Sequence, residues 1–181
     1  MFWAVWGYCL VQRLGELGLA HLHWLGWKTR FERPPEPGYL LMVLLHTAFL
    51  IALPVQYWRD PAPGAAVWLG VFAFAQVLRY WLLWVMGRSW NTRIVAGSDY
   101  PICDRGPYRF IRHPNYLVVI LEFLSLPMSF TMIHIAWVFS LLNGLVLIFR
   151  IRLEERYLYA NPDWKKRMAH KPRFIPGIPF L

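Results

Sequence analysis

Five long apolar stretches, separated by segments that collect most of the basic residues, decide what this chain can fold into. They run from about Phe2 to Leu22, Tyr39 to Trp58, Ala65 to Met86, Tyr116 to Phe130, and Met132 to Phe149. A helix rises about 1.5 Å per residue, so about 20 apolar residues cross the hydrocarbon of a bilayer. Four blocks meet that length. The fourth is shorter, contains Pro127, and is marginal as a spanning helix. It pairs with the fifth as a tight hairpin turning near Ser129-Phe130-Thr131. The expected fold is therefore all-α: a polytopic integral membrane protein with about five transmembrane helices in a single domain. Only 16% of the 181 residues are charged, against about a quarter in soluble domains.

The formal net charge of +9 raises the question of a nucleic-acid partner. Charge position argues against one, because Lys and Arg flank the apolar blocks instead of lining one helix face. Lys28, Arg30 and Arg33 follow the first block, and only Arg59 follows the second. Arg88, Arg93, Arg105, Arg109 and Arg112 lie between the third and fourth. The hairpin turn has none, and the tail from Arg150 onward has eight. The positive-inside rule then places the N-terminus outside and the C-terminus in the cytosol, which an odd number of spans satisfies. Cys9 and Cys103 are too few and too far apart for a disulfide framework or a zinc site. No metal is expected. The first block lacks the basic leader and small-residue cleavage site of a signal peptide and is read as a retained helix.

Three groups of residues are placed to carry chemistry. The connection from Gly87 to His113, about 27 residues long, exceeds what a compact connection needs. Its Trp90, Tyr100, Tyr108 and Phe110 favour a folded, ligand-facing segment. It ends in Gly106-Pro107-Tyr108-Arg109-Phe110-Ile111-Arg112-His113-Pro114-Asn115-Tyr116, where Pro114 also suits the first position of a helix with Arg112 and His113 at the headgroups. Second, Arg150 and Glu154 are four apart and share a helix face, which alone is compatible with an exposed ion pair. Third, Arg13, Glu16, His46, Glu122 and Asn143 lie inside apolar blocks, where ionisable and amide groups are costly and are paired or functional. Arg13 and Glu16, three apart, can neutralise each other; Glu122 has no obvious local partner.

Together these elements resemble the isoprenylcysteine carboxyl methyltransferases, membrane enzymes that carry a Gly-x-Tyr-x-x-x-Arg-His-Pro-x-Tyr element before a helical hairpin and an Arg-x-x-x-Glu element after it. Here the two elements are Gly106 to Tyr116, and Arg150 with Glu154. The tail from Arg173 to Phe180 is similar to the family's closing pattern. Gln12 to Leu17, Leu45-His46, Trp90 to Ile94, Leu121-Glu122 and Leu141 to Asn143 further resemble bacterial alkylpyrone O-methyltransferases. The Pro-rich run Arg33-Pro34-Pro35-Glu36-Pro37 departs from that subgroup.

The resemblance implies S-adenosyl-L-methionine as cofactor, in a cytosolic pocket lined by Tyr100, Pro101, Ile102, Cys103, Tyr108, His113, Pro114, Asn115, Tyr116 and Glu154. It implies Arg150 as the catalytic group that orients the substrate's oxyanion, and a lipophilic substrate such as an alkylpyrone or prenylated carboxylate. His46, Glu122 and Asn143 are candidates to receive that substrate's polar head. A bacterial plasma membrane, with the site facing the cytosol, is the implied location. Membrane steroid and sterol reductases carry a similar Arg-His-Pro-Asn-Tyr element with a nicotinamide cofactor. Phospholipid N-methyltransferases, and a non-catalytic scaffold of the same fold, are further alternatives.

Overall fold

The computed structural model of the protein describes residues 1–175. It is built from α1 (Phe2–Trp27), α2 (Tyr39–Arg59), α3 (Ala66–Met86), α4 (Pro114–Met128), α5 (Ile133–Leu158) and a short α6 (Pro162–Met168). The described residues form no strand, only one isolated antiparallel bridge between Glu32 and Ala96. The α2, α3 and α5 helices are long and apolar enough to cross a membrane. The chain is thus an all-α membrane protein. Its outward faces agree: Trp58 and Trp84 are 80% and 81% exposed to what surrounds the helices, as lipid-facing and interfacial aromatics are.

The 15-residue α4 is about 22 Å long, short of the roughly 30 Å hydrocarbon thickness. It is shielded by protein on both flanks, packed between α3 and α5. Val118, Val119, Phe123, Ser125 and Leu126 are all buried. A short helix is tolerable at membrane depth when neighbours, not lipid, surround its ends. The hairpin to α5 turns where expected. Thr131 takes φ 58°, and the Met132 N–H returns to the Pro127 carbonyl at 3.0 Å. Near the turn Phe2, Phe49, Leu53, Phe123, Leu126 and Phe130 form the main apolar core.

Two elements run past their apolar blocks. The α1 helix continues to Trp27 and α5 to Leu158. The extension of α5 beyond Phe149 puts Arg150, Glu154 and Glu155 on continuous helix, so their relative positions are fixed by the 3.6-residue period. The connection between α3 and α4 is folded, as its aromatic content suggested: Trp90, Ile94, Val95 and Ile111 are buried within it. The α6 helix starts as its sequence dictates, with the Asn161 side chain accepting from the Asp163 and Trp164 N–H groups and Pro162 following it.

Candidate active site

The motif glycine explains itself first. Gly106 has φ 54°, and a Cβ there would lie 2.9 Å from a Val85 methyl. Both the backbone and the space admit only glycine. Pro107 then opens a single 3-10 turn that packs Tyr108 against Ala75, Leu82 and Val118. Burial pushes the Tyr108 hydroxyl well above its ordinary pKa, so it remains a neutral phenol, in contact with the Met86 sulfur at 3.0 Å.

At the start of α4, the Arg112 and His113 N–H groups donate to the Pro172 and Arg173 carbonyls, at 2.9 and 3.1 Å. The tail therefore straps down the helix terminus and satisfies donors that lack intrahelical partners. Glu155 gathers the side chains beneath. Its carboxylate lies 3.2 Å from Arg112 Nη1, 3.0 Å from His113 Nε2 and 2.7 Å from Arg173 Nη2. A carboxylate only accepts, so His113 must carry its proton on Nε2.

One turn along α4, the Tyr116 hydroxyl donates to Glu154 and accepts from Arg150 Nε at 2.8 Å. The two α5 residues are therefore not an exposed pair; they meet through a phenol from α4. Arg150 is fixed further by the Thr92 carbonyl at 2.5 Å from Nη2 and the Met42 sulfur at 3.2 Å from Nη1. Three segments distant in sequence converge on this guanidinium.

These groups stand in the wall of a cavity of about 580 Å³. Tyr108, His113, Asn115, Tyr116, Arg150 and Glu154 border one part of it. Leu10, Leu14, Leu17, Val43, Leu50 and Ile51, from α1 and α2, border another. Arg13, Glu16 and Arg79, inside α1 and α3, also border it, so a largely apolar space carries charged groups at two places, which suits an amphiphile.

Of the other candidates only His46 borders this cavity. Tyr100 to Cys103 do not border the cavity. The Tyr100 hydroxyl donates to the Ser89 carbonyl at 2.7 Å, its ring packs on Trp27 and Phe31, and burial pushes its pKa up to about 12. Pro114 is the buried first residue of α4. Asn143 is 1% exposed, its Oδ1 without a hydrogen-bond partner among the described residues. His46 does border the cavity, with Nδ1 against the Met42 carbonyl at 2.9 Å.

Glu122 faces a buried network. It accepts from Gln76 at 2.8 Å, from Arg79 Nε at 2.9 Å and Nη2 at 2.6 Å, and from Arg13. Glu16 accepts from Arg13 at 2.9 Å and Arg79 at 3.1 Å. Two carboxylates and two guanidiniums thus cancel inside the helix bundle. The partners that Glu122 lacks locally come from α1 and α3. Sequence reasoning passed over Arg79 and Gln76, although an arginine in the middle of the third apolar block is the very signal that singled out Arg13. It also passed over Glu36 and Glu155, which only the folded chain brings beside Arg150 and His113.

Comparison with known proteins bears on this arrangement directly. The chain is 32% identical to the protein YpbQ of Bacillus subtilis over 87% of its own length and 96% of that relative's. It is 31% identical to the cobalt-zinc-cadmium resistance protein CzcN of Cupriavidus metallidurans over 67% of its length, and spans about half (52%) of that protein. No solved structure matches it. The family model for the isoprenylcysteine carboxyl methyltransferases matches residues 68–160, the part of the chain holding α3, the Gly106–Tyr116 element, the hairpin and the Arg150/Glu154 pair. The chain belongs to the isoprenylcysteine carboxyl methyltransferase family and is by that membership a membrane methyltransferase.

Proposed function

We propose that the chain is an S-adenosyl-L-methionine-dependent O-methyltransferase whose acceptor is a lipophilic molecule dissolved in the bilayer, an alkylpyrone or a prenylated carboxylate. The observation that carries this reading is the Tyr116 hydroxyl, which joins Arg150 to Glu154 in the wall of a cavity that is otherwise largely apolar. Five spans with the N-terminus outside put that wall at the cytosolic face of the membrane, a bacterial plasma membrane in this reading, where a water-soluble cofactor and a lipid can meet.

The residues present fit such a cofactor. When bound, it supplies an electrophilic methyl group on a sulfonium. Aromatic faces attract a sulfonium by about 0.5–2 kcal/mol each, and Tyr108 and Tyr116 border the cavity. Glu154 offers a carboxylate to hydroxyl or amino groups. Asn91 Nδ2 and Arg112 Nε are buried donors without hydrogen-bond partners among the described residues, and both residues border the cavity. Unpaired buried donors are costly, and a carboxylate or carbonyl on a ligand would satisfy them. Tyr100 and Cys103 bond the Ser89 and Val85 carbonyls and are assigned, with Pro101 and Ile102, to supporting the cofactor's residues; the expected closing tail pattern beyond Ile175 lies outside the described residues.

On the acceptor side, Arg150 is held by Tyr116 and Thr92 and presents a fixed cation to an oxyanion. A carboxylate or acidic enol is already ionised near neutral pH, so the chain needs to orient the anion, not to deprotonate it. Alignment is the main source of rate in such a displacement. His46 borders the apolar part of the cavity and is assigned to the substrate's head. Glu122 is bonded to Arg13 and Arg79, which border the cavity, and acts on that head through them; Asn143, buried on α5, is assigned to the same role.

The test is to titrate the detergent-purified protein with S-adenosyl-L-methionine and with reduced nicotinamide cofactor in parallel. Saturable binding of the first is expected, weakened at least about tenfold in Glu154→Ala, the loss of one or two charged hydrogen bonds. Binding of the nicotinamide cofactor alone would make the protein a reductase and sink the proposal.

A further inference from the structure

The Pro-rich loop between α1 and α2 places one carboxylate behind the cavity wall. Glu36 is 9% exposed and does not itself border the cavity. Its Oε1 accepts from the Ile94 N–H at 2.8 Å and lies 3.5 Å from Arg93 Nε. Its Oε2 lies 3.5 Å from Arg150 Nη1. The two guanidiniums also share the Tyr39 ring, at 4.7 Å for Arg93 and 6.0 Å for Arg150. Arg93, Arg150 and Tyr39 all border the cavity. Arg93 Nε is buried and makes no hydrogen bond among the described residues.

Glu36 is the carboxylate that faces both guanidiniums directly, while Glu154 reaches Arg150 through the Tyr116 hydroxyl; Glu36 lies behind the wall and both arginines stand in it. Glu36 faces one guanidinium from each of its two oxygens, at 3.5 Å, so a single carboxylate keeps both cations at one stretch of the wall. Such a pair matches an anion whose charge is spread over two oxygens, because each guanidinium can then take one. An acceptor with a single charged oxygen would use Arg150 and leave Arg93 with Glu36 alone.

We propose that Arg93 is a second substrate-binding cation and that Glu36 is the positioning residue that holds it near Arg150, so that the two anionic oxygens of the acceptor each meet a guanidinium. This rests on the methyltransferase reading above and adds a specificity-determining pair to the same site.

The experiment uses the full chain in nanodiscs with S-adenosylhomocysteine present, so that no turnover occurs. The probes are a long-chain hydroxypyrone and a long-chain thioether carboxylate, each measured against its own methylated form. Wild type binds at least one of the anions more tightly than its methylated form, and which one it prefers distinguishes the two sources of this chemistry. Arg93→Gln lowers that preference about tenfold, the worth of one charged hydrogen bond, and Arg93→Lys restores part of it. Glu36→Gln keeps an acceptor for the Ile94 N–H and lowers the preference several-fold. A carboxylate that only neutralised the arginines would, when removed, strengthen anion binding. The proposal is overturned if wild type shows no preference for either anion, if Arg93→Gln leaves the preference unchanged, or if Glu36→Gln raises it. S-adenosylhomocysteine binding is recorded for every variant: its absence from wild type defeats the methyltransferase reading itself, whereas its presence with an unchanged probe preference defeats only this inference.

Discussion

Replacing Arg150 with Ala is expected to abolish methyl transfer while leaving S-adenosyl-L-methionine affinity within a few fold of wild type. The separation follows from the contacts. Glu154 keeps its hydrogen bond from the Tyr116 hydroxyl when the guanidinium is gone, so the side chain assigned to the cofactor stays where it was. What disappears is the fixed cation that α5 presents toward the acceptor, with its anchors on Tyr116 and Thr92. Losing one preorganised donor to a reacting oxyanion costs about 10²–10³ in turnover. Here the lost group also carries the charge that draws the acceptor's anion to the wall, so the combined effect on kcat/KM is larger. Initial rates with a lipophilic acid, alongside calorimetric titration of the cofactor, separate the two quantities. Arg150→Lys keeps the charge but loses the planar fork, and its rate should fall between the two. If Arg150→Ala loses cofactor binding instead, the residue belongs to the other half of the pocket.

What could be read from the sequence divides along a physical line. Features set by local composition were legible: the apolar blocks, the hairpin turning at Thr131, and Pro114 opening α4. Each depends only on hydropathy or on the backbone preferences of a few adjacent residues. The Gly106–Tyr116 element and the Arg150/Glu154 pair stood out only through their resemblance to a family's motifs; spacing alone read them as a helix start and an exposed ion pair. The convergence of those two elements on the Tyr116 hydroxyl was not legible, since spacing within a segment says nothing of distance between segments. Pairings that cross between helices were hidden for the same reason. Glu155 beneath His113, and Glu36 behind Arg150, look like ordinary surface acids in a linear reading. Tyr100 shows the converse. An aromatic in a long connection reads as ligand-facing, yet its ring is held by Trp27 and Phe31, which no local rule brings near it.

The network on Glu122 yields the largest expected effect on stability. Arg79 is 2% exposed and is bonded to both Glu122 and Glu16. Arg79→Met fills similar space but leaves two carboxylates facing the single guanidinium of Arg13. Removing one partner of a buried ion pair costs about 3–5 kcal/mol, because the other charge is stranded in a medium of low dielectric. Thermal unfolding in detergent should show this as a large downward shift in Tm, with the same order of loss for Glu122→Leu alone. The double replacement Arg79→Met with Glu122→Leu removes one charge of each sign and leaves the Arg13–Glu16 pair, at 2.9 Å, intact. It should therefore recover at least half of the loss, since apolar side chains of similar volume often replace a buried pair without net cost. Additive losses in the double variant would mean that the two residues do not act as one unit. The same double variant separates structure from substrate contact. If Glu122 serves only to balance charge, the recovered protein keeps its affinity for a lipophilic acceptor. If Glu122 also acts on the substrate's head, stability returns but acceptor affinity does not.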